Sequence, residues 1–146
     1  MHVVLAANAD AVEPWVTEAT VDFARKTGAS VAVVSVDEVE LERLAPAPRS
    51  VYFQQAERAA QGAVDQLIAA GITASKTVLS GRALDRILEH AEHEKADLIV
   101  VGASDRSAVA ARLLGSVPLA LIERSSRPIL VMTNPAHGHG AHHGAH

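Results

Sequence analysis

The chain has 146 residues, no cysteine, and a formal net charge of −4 with its histidines neutral. That length suits one domain with a sheet covered on both faces, and the lack of thiols excludes a disulfide framework or a thiolate zinc site. The acidic balance, without a Lys/Arg stripe, argues against nucleic acid as a main partner, and no apolar stretch approaches a membrane span.

Apolar residues make up 49% of the chain but aromatic residues only 3%. The core must therefore be built from Val, Leu, Ile and Ala, as in a buried parallel sheet. The N-terminal segment MHVVLAANADAVEP has no basic n-region, and its apolar run is too short for a signal peptide. A soluble, cytoplasmic protein is the expectation.

The first apolar run, His2–Ala7, is β-branched-rich and reads as a strand. Val12, Trp15, Ala19 and Phe23 then recur at helical spacing, with Pro14 near the start and Gly28 as the stop. Ser30–Val36 is the second strand. Leu41–Arg49, with Pro46 and Pro48, reads as a mobile loop before the second helix. That helix sets Phe53, Ala56, Ala60, Ala63 and Leu67 on one face and ends at Gly71. Thr73–Leu79 is the third strand. In the third helix Leu84, Ile87, Leu88 and Ala91 form the inward stripe, and Asp85, Arg86, Glu89 and Glu92 face water.

Asp97–Val101 is the fourth strand, followed by a polar loop from Gly102 through Leu114. A serine followed two residues later by proline predicts an N-cap at Ser116 with Pro118 in the first turn, and a helix to about Ser125. Pro128–Met132 is the last strand. Such alternation predicts an α/β, doubly wound, five-stranded parallel sheet in the order 3-2-1-4-5, with helices on both faces. Residues 1–132 form this domain. Residues 133–146 are a His/Gly-rich low-complexity tail with no means of packing, hence disordered.

Ligands of such sheets sit beyond the carboxyl ends of the strands, where the strand order reverses. That points to Ala7–Asp10 and to Gly102–Pro118. Glycine lets the backbone approach a ligand closely, and a helix beginning at Ser116 aims free N–H groups and a positive dipole end there. Each feature also has a purely structural reading, Gly102 ending a strand and Ser116 capping a helix.

The spacing Gly102, Asp105, nine residues, then Gly115-Ser116 resembles the G-x2-G-x9-G-S/T signature of the universal stress protein family. The likeness extends through KADLIVVGAS, ARLLGSVP and RPILVM. It implies the fold already derived, and a site for ATP or another adenine nucleotide. On that resemblance, Ala7 and Asn8 meet adenine and ribose, Val36 packs on the adenine, and Val101 and Gly102 line the same pocket. Gly115, Ser116 and Val117 hold phosphate. The resemblance also implies a homodimer through the last strand.

Three features depart from the ATP-binding pattern: Asn8 stands in place of an aspartate, the pair Ala9-Asp10 in place of Gly-Ser, and Asp105 in place of the second glycine. A carboxylate about 4 Å from a phosphate charge costs about 4 kcal/mol at an effective dielectric of about 20. Mg²⁺ bridging Asp105 and a phosphate oxygen, or Arg106 and Arg112, would offset it. AMP or cyclic AMP is as admissible as ATP.

No Walker-type loop, G-x-G-x-x-G or G-x-S-x-G motif is present. No base or nucleophile stands out, so the expectation is a binding module with at most slow ATP hydrolysis, not an enzyme. A nucleotide-free homodimeric interaction protein of the same fold is the alternative. His90 and His93 are placed on the outer, solvated face of the third helix. His137, His139, His142, His143 and His146 are candidate weak ligands for Ni²⁺, Cu²⁺ or Zn²⁺, or belong to a spacer or appendage.

Overall fold

A computed structural model describes residues 1–9, 13–38, 49–103 and 116–134. Its elements in chain order are β1 (His2–Ala6), α1 (Pro14–Thr27), β2 (Ser30–Glu38), α2 (Arg49–Ala69) and β3 (Ala74–Gly81). They continue with α3 (Ala83–His93), β4 (Leu98–Gly102), α4 (Ser116–Arg124) and β5 (Ile129–Met132). The sheet order is β3-β2-β1-β4-β5, and every pairing is parallel. Among the described residues no helix is long and apolar enough to cross a membrane.

The central strands are covered on both faces, which is why they read as unbroken apolar runs rather than alternating ones. Val3, Leu5, Val31 and Val33 point into one layer with Val16 and Ala24 of α1 and Ala60, Ala63 and Leu67 of α2. Val4, Ala32, Val34 and Ile99 point into the other with Ile87 and Ala91 of α3 and Leu121 of α4. The doubly wound architecture is therefore the observed one.

Helix ends follow their local chemistry. Pro14 opens α1, and Gly28 closes it at φ +74°, its N–H donating to Ala24 O at 2.8 Å. The turn after α2 passes through Gly71 at φ +83°. A side chain is strained in that left-handed region, so glycine is the residue that makes both turns cheaply.

Three expectations need correction. In α1 the fully buried positions are Val16, Thr17, Thr20, Val21 and Ala24, so the inward face is centred beside the Trp15–Ala19–Phe23 row, of which Trp15 and Phe23 pack half-buried at its margin. The Thr20 hydroxyl donates to Val16 O at 2.7 Å, which lets a polar residue occupy a core position. In α2 Phe53 is exposed and Tyr52 is buried in its place. His90 is buried rather than on the solvated face of α3. The last helix, α4, starts at Ser116 and ends at Arg124, as the Ser-x-Pro spacing predicts.

Candidate functional site

The order reverses between β1, which pairs with β2 on one side, and β4, which pairs with it on the other. Chain segments leaving these two strands must diverge to opposite faces, opening a crevice at their carboxyl ends. Ala7 is pinned at its lip. Its N–H donates to Val34 O at 2.8 Å, and its carbonyl accepts from Ser35 Oγ at 3.1 Å. On the far side the Ala103 N–H donates to Met132 O at 2.9 Å, holding the end of β4 against β5.

Glu13 occupies the space between these lips. Asn8 Nδ2 donates to Glu13 Oε2 across a long 3.5 Å contact. A methyl placed on Gly102 would lie 2.8 Å from Glu13 Oε1 and 2.5 Å from Val16 Cγ2. Gly102 thus lacks a side chain because the first turn of α1 packs on its Cα. Asn8, Glu13 and Gly102 form one contiguous group at the switch point. Glu13 was not singled out from the sequence, where it reads only as the residue before the helix-starting Pro14. Its place directly before Pro14, at the N-cap of α1, is the one signal the sequence carried.

The remaining predicted site residues that are described divide between the two layers. Ala7 packs with the α1–α2 layer, whereas Val36 and Val101 are buried in the α3–α4 layer. Val117, in the first turn of α4, is half-buried against that second layer. Asp105 and Gly115 lie outside the described residues, as does the side chain of Ser116. So do His137, His139, His142, His143 and His146. One residue beyond Val36, Asp37 is only 1% exposed and accepts from Ser80 Oγ at 3.3 Å, a buried carboxylate the sequence did not flag. Among the described residues no three His, Asp or Glu side chains converge to hold a metal ion.

A second histidine-rich cluster lies at the opposite end of the sheet. His2 Nε2 is 2.8 Å from Glu94 Oε1 and its Nδ1 is 2.6 Å from Ser30 Oγ. A neutral His2 with its proton on Nε2 donates to Glu94 and accepts from the Ser30 hydroxyl. This bond is the main cause holding the Glu94 carboxyl below its usual range. Burial is the main cause pushing His90 below the ordinary imidazole value; Glu94 opposes the shift, and His93 and His2 add to it.

The comparisons with known proteins bear on the family and the fold. The model of the "Universal stress protein family" matches residues 1–133. A stretch of 65 residues is 37% identical to a universal stress protein of Methanocaldococcus jannaschii, taking in 44% of this chain and 38% of that one. A stretch of 52 residues is 42% identical to one from Mycobacterium tuberculosis, covering 36% of each. The match thus spans well under half the length of these curated relatives.

Among solved structures, a universal stress protein from Archaeoglobus fulgidus superposes with a TM-score of 0.70 at 22% identity, covering 90% of this chain and 98% of that one. The Archaeoglobus fulgidus protein in complex with dAMP gives 0.67 at 21% identity, over 90% and 97%. A universal stress protein in complex with cAMP gives 0.64 at 24%, over 88% and 95%. At these identities the structures establish a shared fold. The family model runs across nearly all of the α/β unit, and the chain belongs to the universal stress protein family.

Proposed function

We propose that the crevice between β1 and β4 binds an adenine nucleotide, and that occupancy, not chemistry, is the protein's output in a stress response. The observation that carries this reading is the Asn8–Glu13–Gly102 group at the switch point. A carboxylate there is suited to accept hydrogen bonds from ribose hydroxyls, the service an aspartate at position 8 would otherwise perform. Asn8 adds an amide that donates to or accepts from the base. Ala7 supplies a small apolar contact at the lip, with Val36 and Val101 beneath the edge of the sheet.

The phosphate end is assigned to Gly115, Ser116 and Val117. The first turn of α4 leaves backbone N–H groups unsatisfied by the helix itself, and its dipole favours an anion. Nucleotide complexes of structural relatives support the reading, since dAMP and cAMP each carry a single phosphate group. With ATP, the carboxylate of Asp105 would require Mg²⁺ as a bridge to the phosphates.

Calorimetric titration of adenosine, AMP, cyclic AMP and ATP, with and without Mg²⁺, tests the proposal. At least one phosphate-bearing ligand should bind more tightly than adenosine. Absence of heat for all four would remove the nucleotide reading. A second reading, a nucleotide-free homodimer acting through protein contacts, is favoured by one observation. The space beside Gly102 is filled by Val16 and Glu13 of the protein's own helix. In both readings β5 is the proposed dimer edge.

A further inference from the structure

The two lips of the crevice converge on one carboxylate. Glu13 Oε2 accepts from Asn8 Nδ2 at 3.5 Å, longer than the usual ~3 Å of such a bond. A methyl on Gly102 would lie 2.8 Å from its other oxygen. Half-buried, Glu13 also lines, with Ala7, Asn8 and Ala9, an open volume of about 390 Å³ at the carboxyl end of β1. A ligand seated there is within reach of this side chain.

The backbone that delivers the carboxylate is fixed. Proline at the next position disfavours helical torsions at Glu13, which sits at φ −126° and ψ 70°. The Glu13 carbonyl accepts from the Val16 N–H at 3.0 Å, tying it to the first turn of α1. A group held this way loses little conformational freedom when a ligand arrives. The helix dipole of α1 also favours negative charge at this point. An ionised carboxylate has two oxygens that accept hydrogen bonds and nothing that donates. It calls for a ligand that brings donors. A ribose brings two, the neighbouring 2′ and 3′ hydroxyls on one face of the ring.

Granted the nucleotide reading of the crevice, on which this rests, we infer that Glu13 makes the site selective for nucleotides whose 2′ and 3′ hydroxyls are both free. One hydroxyl donates to each carboxylate oxygen. Asn8, donating at 3.5 Å, competes weakly with a hydroxyl for Oε2. Removing either hydroxyl takes from a half-buried carboxylate a donor that the ligand would supply. A site built around such a bond rejects the analogue lacking it more strongly than the lost contact area would.

Calorimetry on the full chain with AMP, 2′-deoxy-AMP and 3′-deoxy-AMP is the test, read as the ratio of affinities so that any uniform effect of altered charge cancels. Wild type should bind AMP about tenfold or more tighter than either deoxy nucleotide, as a hydrogen bond to a charged group allows. Glu13→Gln keeps the size of the side chain, and Glu13→Asp keeps the charge but draws it back by one methylene. In both the preference for AMP should shrink to within about threefold, with thermal midpoints near wild type. Should one variant fail to fold, the other decides. Equal affinity of wild type for the three ligands overturns the inference, as does a preference that survives in either folded variant. In those cases AMP still binds and the nucleotide crevice stands. Failure of all three ligands to bind wild type overturns the crevice itself, and the selectivity with it.

Discussion

Gly102 shows how one missing atom ties the site to the fold. With Val16 Cγ2 2.5 Å and Glu13 Oε1 2.8 Å from where a methyl would sit, Gly102→Ala must push the first turn of α1 outward. Overpacking of this kind costs about 1–3 kcal/mol, which denaturant unfolding would register, and the displaced Glu13 should weaken ribose-bearing ligands as well. An alanine variant with wild-type stability and affinity would show that α1 is not seated on β4 as described. Asp105 raises the question of charge. Placed by spacing near the start of α4, its carboxylate opposes phosphate, so Asp105→Gly should strengthen ATP binding without Mg²⁺ by about tenfold, or about 1.4 kcal/mol. AMP should gain less because it brings less charge, and adenosine nothing. Equal gains for all three would place Asp105 away from the phosphates. At this scale the sequence pointed to Asn8 by its place after the first strand and to Gly102 by its spacing, but not to Glu13, which touches both. A residue five positions on that folds back across a loop has no periodicity to betray it.

Among the elements, the strands were the most legible, because burial on both faces removes polar positions and leaves a short apolar run. Helix faces were less so. The inward side of α1 includes Thr17 and Thr20, whose polarity hides them from an apolar count, while Phe53 of α2 is apolar yet exposed. In α3, His90 is 7% exposed, and its Nε2 finds no hydrogen-bond partner among the described residues. Its neighbours across the α3–β1 junction are His2, His93 and Glu94. Since burial depresses its pKa in the folded state, the unfolded chain binds that proton more readily. Stability is then full above the ordinary imidazole value of 6.5 and is lost as pH falls toward the depressed folded value. Glu94, also depressed, adds a second loss below its ordinary 4.5. Urea unfolding at pH 7.5 and at pH 5 should show the native state weaker at the lower pH. His90→Leu, similar in volume and free of the buried nitrogen, should reduce that difference without lowering stability at the higher pH. A pH dependence that survives His90→Leu in full would assign the effect to other groups.

For the molecule as a whole, the open question is what covers β5. Every residue of this edge strand is half-buried, and α4, which packs against it, exposes Leu119 at 42% and Ile122 at 48%. An apolar edge left bare invites pairing with another chain, and two copies meeting edge to edge would extend the parallel sheet of each and cover the α4 residues together. Leu130→Lys is the direct way to disrupt such an edge, but the structure makes it a blunt one. Leu130 also packs against the α1–α2 layer, so a charge there damages the monomer's own core. Ile122→Lys is cleaner, because the side chain it replaces has no such role in the described packing. If β5 and α4 form the dimer face, sedimentation at micromolar concentration should show wild type as a dimer and Ile122→Lys shifted to monomer with its thermal unfolding preserved. Leu130→Lys should lose both assembly and stability. A rise of about tenfold or more in the dimer dissociation constant for Ile122→Lys corresponds to about 1.4 kcal/mol, well within what one interfacial aliphatic side chain contributes. Wild type sedimenting as a monomer would end the edge-pairing model. A dimer unaffected by Ile122→Lys would move the interface away from the exposed face of α4.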